Sequence, residues 1–440
     1  RGTLVPGFTQ TPESFGVNFG TTAPGYDFVF GRQPDRSWLD EAAANDWITK
    51  DPSFSYQFNQ SRTRQFSADA SLQPLNDFLL DINIDYAKTD DYNELFRNTG
   101  SVANPNFQHI NPYESGNYDI SFISLNTIFS EKGADGVPLV FRDFEQNRIE
   151  ASQILQNRNP NSVGNYDLDS DYRQGYGPYA QEVLLPSFVA AYTGKSLNEV
   201  ELNPFDTKPL PNWKVSYTGL TQIPAVSKVF SSIRINHGYT GNFSINQYNS
   251  NLKFEGPEDY FLPTALDSLS FNYFAFYYIP QVTITERFSP LAGVDFTMNN
   301  GYNMRVNYSK SRTLGMSLLD YQLSESNSTQ FTIGAGYQTR NFTLPFKLFG
   351  NKNLENDLRF QFDFGLQDDE VVNYKLDQDT VLPTRGAKTI TIYPTIDYAL
   401  NQRMNLQLYM ERRKSEPKTR NSYPISNTRG GMKLTYSFGR

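Results

Sequence analysis

In LRFQFDFGL, residues 358–366, every second side chain is apolar. The apolar side chains occupy the even positions, and Arg359, Gln361 and Asp363 lie between them. Successive side chains of a β-strand point to opposite faces. The alternation therefore predicts a strand with one apolar and one polar face, as in a sheet that separates water from an apolar phase.

The same alternation recurs along the chain and predicts further strands. Their apolar positions are Phe78, Leu80, Ile82, Ile84 and Tyr86; Val229, Ile233, Ile235 and Tyr239; Met304, Val306 and Tyr308; Phe331, Ile333, Ala335 and Tyr337; Ile390, Ile392, Ile396 and Tyr398; Leu406, Leu408 and Met410; and Met432, Leu434, Tyr436 and Phe438. Turn-forming clusters at 299–301 and 350–353 separate some of these runs, as hairpin loops do. From about residue 213 onward we expect an up-and-down meander of roughly a dozen strands.

Composition narrows the class of protein. Of the 440 residues only 38% are hydrophobic, yet 34 are Phe and 28 are Tyr, a mixture that suits a barrel with an apolar outside and a polar inside. There is no cysteine and there are only two histidines, His109 and His237, which excludes disulfides, thiolate catalysis, and Cys-type or His-rich metal sites. We therefore expect no enzyme activity, no cofactor and no metal. The net charge of −8 argues against a nucleic-acid partner.

The fold class we predict is all-β: a segment of a very large transmembrane antiparallel β-barrel with helical and loop insertions. No run of about 18 apolar residues occurs, so the strands would have to cross the membrane. We divide the chain into a loop-rich segment with a short helix (1–53), barrel strands (54–87), and loop and helical insertions with a possible strand near 118–129 (88–212). Antiparallel barrel strands (213–440) complete it.

Helical signals are concentrated in the insertions. Ser37 and Asp40 could cap an early helix through Trp47, and residues 139–157 predict a second helix. A third is predicted from Pro178 to Gly194, with a kink or a division into two pieces at Pro186, and the spacing of Ser196 and Glu199 is that of a capping box. We expect the helical insertion at about 139–200 to act as a gate, a cap or a partner-docking element. Its candidate residues are Pro178, Val183, Leu184, Pro186, Tyr192 and Gly194.

Several clusters of acidic or charged residues are better explained as solvated turns or strand ends than as metal or catalytic sites. Asp167, Asp169 and Asp171 resemble the start of a calcium loop, but Tyr172 and Pro178 stand where the loop needs Gly and Glu, so a solvated turn is preferred to a looser calcium site. Residues 368–370 (Asp-Asp-Glu) are interpreted as a solvated hairpin tip rather than a carboxylate pair of a hydrolase. Residues 411–414 are interpreted as a solvated strand end or loop.

The end of the sequence carries a more specific pattern. Gly431 is followed by Leu434, Tyr436 and Phe438 at two-residue steps. This is similar to the terminal β-signal that the outer-membrane assembly machinery recognises, in which an edge strand with a row of rings can add to another sheet. The alternative is an ordinary last strand of a soluble β-sandwich.

Longer segments resemble the SprA/Sov family of giant outer-membrane proteins. They are YGPYAQEVLLPSFVAAYTGKSLNEVELNPF (176–205), PLPNWKVSYTGLTQIP (209–224) and FSSIRINHGYTGNFSINQY (230–248), together with GTLVPGF (2–8), FVFGRQPD (28–35) and FRDFEQNR (141–148). The resemblance implies the C-terminal part of a longer protein, so we expect further strands upstream of Arg1.

Membership in that family implies a translocon of the type IX secretion system, in the outer membrane of Gram-negative bacteria that glide or secrete surface proteins. Its implied partners are folded cargo with a C-terminal signal domain, a PorV-like barrel that covers the lateral opening, a periplasmic plug protein and the lipid bilayer. Candidate lumen-facing residues are Asp81, Asn83, Asp85, Arg359, Gln361 and Asp363. The alternatives are a TonB-dependent outer-membrane transporter and a secreted all-β binding protein.

Overall fold

One antiparallel sheet of 14 strands runs through the chain in the computed structural model, with 54% of residues in strands and 14% in helices. The structure describes residues 2–11, 13, 17–30, 32–33, 36–134, 136–257, 259–343, 355–378, 380–401, 403–419 and 422–438. The strands are β1 (Gly2–Leu4), β2 (Phe58–Leu75), β3 (Phe78–Asn98), β4 (Phe107–Ser121), β5 (Asn212–Tyr217), β6 (Phe230–Ser250), β7 (Tyr277–Tyr278), β8 (Gln281–Met298), β9 (Tyr302–Ser317), β10 (Gln322–Thr343), β11 (Glu355–Lys375), β12 (Thr380–Asn401), β13 (Met404–Pro417) and β14 (Ile425–Tyr436). The all-β prediction is therefore confirmed.

Five α-helices and three 3-10 turns interrupt the strands of the described chain. The helices are α1 (Tyr26–Val29), α2 (Ser37–Ala44), α3 (Leu139–Arg158), α4 (Gln181–Thr193) and α5 (Pro224–Ser227). The 3-10 turns are Leu197–Glu199, Pro204–Asp206 and Gly219–Gln222. No helix among the described residues is long and apolar enough to span a bilayer.

In the described residues the strands follow one another as a meander, except at β7, a two-residue strand that pairs with β6 alone, and at β4 and β5. Both lie between β3 and β6: β4 pairs with the later half of β3, from Tyr86 to Asn98, and β5 pairs with its beginning, from Phe78 to Asn83. On the other side, β6 pairs with both of them. β4 and β5 therefore occupy the same position in the strand order, at different places along β3 and β6. The chain leaves the sheet after β4 and returns to it at β5, and the segment between them is 122–211. Residues 122–211 are called the insertion below.

The insertion is shorter than the predicted one. Residues 88–98 continue β3 and residues 107–121 form β4, so the predicted loops that begin at 88 are wrong and the strand near 118–129 ends at Ser121. Both segments are rich in Asp, Asn and Glu, and β4 also holds Pro112 and Gly116, which obscures the alternation. The polar side chains are paired across strands instead; Asp90, for example, contacts Arg64 at 2.8 Å and Lys88 at 2.9 Å.

The helix predictions are largely confirmed. Helices α2, α3 and α4 coincide with the predicted segments, and Gly194 ends α4 in the left-handed conformation, with φ 66°. Pro186 lies inside α4 without dividing it into two helices. The Ser196–Glu199 capping box is present, whereas Ser37 is the first residue of α2 and no side chain caps that helix.

The predicted hairpin tip at 368–370 is part of a strand, and residues 411–414, predicted as a strand end or a loop, also belong to a strand. Residues 368–370 lie inside β11, paired with β10 and β12, and residues 411–414 lie inside β13. The hairpin tip was wrong because these strands are about twice as long as a bilayer crossing needs, with 21 residues in β11. The 299–301 turn is confirmed between β8 and β9, with Gly301 at φ 91°. The 350–353 cluster lies outside the described residues.

The two ends of the sheet differ. Short connections, at 76–77 and 299–301, lie at one end, which is called the turn end. The insertion and the connections 99–106 and 251–276 belong to the opposite end, which is called the insertion end. The sheet is open along its sides, since in the described residues β1 pairs only with β2 and β14 only with β13.

Candidate functional site

One face of the sheet carries an apolar band, which is longest on β3, β11 and β12. Residues that oppose each other across strands share a face, and the register places Leu358, Tyr398, Leu406 and Leu434 in one row across β11 to β14. The apolar run from Leu358 to Leu366 measures about 27 Å at roughly 3.4 Å per residue. The runs 78–86 in β3 and 390–398 in β12 have the same length. Outer-membrane barrels show a comparable apolar band of about 25 Å to lipid.

The opposite, polar face is concave. A hollow of about 1160 Å³ lies against it, and strands β6 and β8 to β13 all contribute to its lining. One hollow can touch so many strands only if the sheet curves toward that face. Its charged and amide side chains include Arg234, Asp295, Arg305, Gln361, Asp363 and Arg413.

The six predicted lumen-facing residues share this polar face. Gln361 and Asp363 line the large hollow, and the Arg359 guanidinium donates a 3.4 Å hydrogen bond to Gln338 on the same face. Asp81 and Asn83 line a second hollow of about 500 Å³, and Asp85 accepts a 2.7 Å hydrogen bond from Ser67. The two groups stand at different places along the sheet. Their role in lining a pore stays a prediction.

The insertion covers the apolar face near the insertion end. Phe188 and Leu184 of α4 are completely buried, together with Ile284 of β8, Leu314 of β9 and other strand residues of the same face. Helix α3 packs on α4 and adds Phe144 to the same core. The helices and strands thus form a second layer here, whereas the apolar band nearer the turn end has no such cover in the described residues.

The predicted gate residues lie in the core of this second layer. Val183, Leu184 and Tyr192 are fully buried and Pro186 is buried beside them, while Pro178 is half-buried and Gly194 is exposed. Buried side chains cannot contact a partner protein in this conformation. The interpretation of α4 as a gate or a partner-docking element stays a prediction.

A buried ion pair joins the insertion to the sheet. Glu286 of β8 is 0% exposed and Arg312 of β9 is 3% exposed, and the Arg312 Nε donates to the Glu286 carboxylate at 2.7 Å. Tyr239 of β6 donates to the same carboxylate at 3.2 Å. Charged groups so deeply buried require such partners, because an unpaired charge in the protein interior is strongly disfavoured.

The guanidinium also holds the insertion itself. Arg312 donates to the Thr127 carbonyl at 2.9 Å and to the Thr127 hydroxyl at 2.7 Å, and that hydroxyl donates to the Tyr192 carbonyl near the end of α4. The Arg312 guanidinium lies 5.6 Å from the centre of the Tyr192 ring. The Arg312–Glu286 network therefore connects two strands, the loop after β4 and α4.

Sequence reasoning missed this network, although the sequence contains a signal for it. Glu286 falls in the apolar series with Ile284 and Phe288, and Arg312 falls in the apolar series with Leu314. Opposite charges in the apolar series of two successive strands predict a buried pair if the strands are neighbours. The length of the 299–301 turn predicts that they are.

A second ionic cluster attaches the N-terminal segment. The His109 ring of β4 lies between two carboxylates, with Nδ1 2.8 Å from fully buried Glu94 and Nε2 3.1 Å from Asp40 of α2. Arg36 lies 3.5 Å from the Glu94 carboxylate. These side chains thus attach helix α2 to the sheet. They lie far apart in the sequence, so no local pattern predicts their contact.

The predicted β-signal residues lie in edge strand β14 and just beyond it. Leu434 and Tyr436 continue the rows of the apolar face and are about half exposed, and Phe438 is 90% exposed. Gly431 faces the opposite side, where a Cβ would lie 2.7 Å from the Tyr409 hydroxyl. The glycine therefore leaves room for a ring on the neighbouring strand, a role separate from that of the apolar row.

The described residues contain no group of three or more His, Asp or Glu side chains placed to hold a metal ion. Asp167, Asp169 and Asp171 are exposed in a loop of the insertion. In comparisons with known proteins, no family model matches the chain and no curated protein matches it.

Proposed function

We propose that this chain forms part of the wall of an outer-membrane protein-export channel, the translocon of a type IX secretion system. The observation that carries the proposal is the sheet with two unlike faces: a concave polar face along a hollow, and an apolar face of bilayer height. Water on the concave side and lipid on the other side satisfy both faces at once. Such a channel acts by its shape and needs no covalent chemistry.

The width of the sheet supports a wide pore. In the described residues twelve strands follow one another along the sheet and the two edge strands do not pair, which gives about 55 Å of wall at roughly 4.8 Å per strand. A barrel that includes this wall has more strands than the small eight-stranded barrels whose interiors are filled by side chains. A wide, polar lumen suits folded cargo with a C-terminal signal domain. A PorV-like barrel and a periplasmic plug protein are the proposed partners, and the proposed location is the outer membrane of a gliding or secreting Gram-negative bacterium.

The first experiment is purification of the natural full-length protein in mild detergent, followed by mass spectrometry of what stays bound. A second outer-membrane barrel, a periplasmic plug protein and secretion cargo are the expected companions. A protein that remains soluble without detergent would overturn the membrane location and favour a secreted binding protein. Recovery of TonB instead would favour a substrate-specific transporter.

A second experiment tests the pore itself by single-channel recording in planar bilayers. Asp363→Lys reverses a charge in the hollow and is expected to shift the ion selectivity toward anions. Phe362→Leu, one residue away on the apolar face and outside the lining of the hollow, is the matched control and leaves the selectivity unchanged. Equal selectivity in Asp363→Lys and the natural protein would show that the hollow is not the conduction path.

Deletion of Pro178 to Gly194 tests the gate. Since α4 packs over the strands without belonging to the sheet, we expect the strands to form and the conductance or the bound partners to change. Unchanged conductance together with unchanged partners would refute a gating role for α4.

A further inference from the structure

The apolar band ends in a row of basic residues near the open edge of the sheet. On β13, Arg412 and Lys414 follow Leu408 and Met410 on the same face and are both exposed. On β12, Lys388 follows Ile390 on that face. The register places Arg412 opposite Ile392, Lys414 opposite Ile390 and Lys388 opposite Glu416, so the basic residues begin four residues earlier on β13 than on β12 and Lys414 lies diagonally next to Lys388.

The local charge is positive even after the neighbouring acids are included. Lys414 contacts Glu416 at 2.5 Å, and Lys418 pairs with Asp368 of β11. Within the described residues Arg412 forms no ion pair of this kind. The row and its surroundings therefore carry four cations against two carboxylates, a net charge of +2.

At the other side of the sheet, the corresponding row is neutralised by the protein itself. Lys88 follows Tyr86 at the end of the apolar run of β3, but Asp90 binds both Lys88 and Arg64. Lys88 also lies 4.9 Å from the centre of the Phe205 ring, beneath residues that follow α4. The insertion core reaches β11 through Val372 and Tyr374 and includes no residue of β12, β13 or β14.

The basic residues lie toward the insertion end, whose long connections would be extracellular in an outer-membrane barrel. We propose that Lys388, Arg412 and Lys414 bind the phosphate of a lipid headgroup in the outer leaflet, with Thr428 and Ser426 of β14 beside them as hydroxyl donors. The proposal rests on the membrane location proposed above. Long basic side chains at the edge of an apolar band extend toward the headgroup level, where they meet phosphate. Arg412 is the residue suited to two parallel hydrogen bonds to phosphate oxygens. The acyl chains of the same lipid would lie along Leu408 and Met410.

The test uses the natural full-length protein in nanodiscs of phosphatidylcholine with or without bisphosphorylated lipid A, and counts the lipid A retained after extraction. Each basic residue near an anionic surface contributes roughly fivefold, so Lys388→Gln, Arg412→Gln and Lys414→Gln together are expected to weaken lipid A retention about 100-fold. The matched control is Arg413→Gln, since Arg413 lies on the same strand but faces the hollow. Arg412→Gln alone is expected to show about a fivefold loss, and it covers the case in which the triple variant fails to fold.

The outcomes separate the two proposals. Retention that falls in the row variants and not in Arg413→Gln supports the lipid site. Insertion with equal retention in all variants overturns this site and leaves the channel proposal in place. Competition by inorganic phosphate at millimolar concentration without any lipid preference would overturn a lipid site in favour of a free-anion site. A natural protein that enters neither kind of nanodisc removes both proposals.

Discussion

Replacement of Arg312 by Met is the sharpest test of how the insertion is held. Met has a similar length but leaves the Glu286 carboxylate at 0% exposure with the Tyr239 hydroxyl as its remaining partner. The Thr127 carbonyl also loses a donor. Removal of one member of a buried ion pair costs about 3–5 kcal/mol. Because Arg312 contacts the insertion directly, we expect this loss to appear as opening of the insertion.

Hydrogen exchange measured by mass spectrometry on the detergent-solubilised protein reports that opening. A loss of about 3 kcal/mol corresponds to more than 100-fold faster exchange in residues 122–130 and in α4, since exchange follows the local opening equilibrium. Exchange in the strands near the turn end is expected to stay unchanged, because they do not contact the network.

Two further variants decide whether the charge pair is the cause. Arg312→Met with Glu286→Leu removes both charges and is expected to recover most of the protection, since an apolar pair can replace a buried ion pair. The exposed pair of Arg305 and Asp295 provides the control: Arg305 is 68% exposed, so Arg305→Met is expected to cost at most about 1 kcal/mol. Equal exchange in the Arg312 and Arg305 variants, or no recovery in the double variant, would refute the reasoning.

Three other predictions concern separate parts of the molecule. Gly431→Leu forces the Tyr409 ring away and is expected to destabilise the protein by about 1–3 kcal/mol in thermal unfolding, a loss that Tyr409→Ala relieves. His109→Ala removes a partner of a buried carboxylate and is expected to release the N-terminal segment to protease at a cost of about 2–4 kcal/mol, whereas exposed Asp40→Ala costs less than about 1 kcal/mol. Burial raises the pKa of Glu182 from 4.5 to about 7; the folded insertion is therefore penalised as pH rises from about 4.5 to about 7, by up to about 3 kcal/mol, and keeps that penalty at higher pH. Glu182→Gln is expected to flatten this dependence of local stability on pH, and a slope as steep as that of the natural protein would contradict it.

Side-chain alternation predicted the strands that have one clear apolar face, such as β11 and the end of β3. It failed for β4 and for residues 88–98, where Asp and Asn pair across strands and the local pattern carries little information. It also could not show that β4 and β5 both lie between β3 and β6, because that arrangement depends on strand partners more than 120 residues apart in sequence. Register between distant strands is set by three-dimensional packing, which a single sequence does not display.

The features of the candidate site also differ in whether the sequence could predict them. The polar face of 359–363 was predictable, since alternation alone assigns a face to each side chain. The position of α4 was not predictable, because a helix that is apolar on all sides predicts burial but does not indicate which surface it packs against. The contact between Arg312 and the insertion was not predictable either, because its partner Thr127 lies in a loop without any periodic pattern.

The length of the strands has a mechanical consequence. Strand β11 extends for about 70 Å at roughly 3.4 Å per residue, while its apolar run takes up only about 27 Å. If lipid surrounds that run, more than half of the wall stands clear of the bilayer, where a single-layered sheet bends easily. Helices α3 and α4 form a second layer on this part of the wall and therefore stiffen it. In the proposed channel, cargo that leaves the bilayer would pass along this stiffened part of the wall, and loss of the Arg312–Glu286 ion pair would make the wall more flexible before it changed the width of the pore.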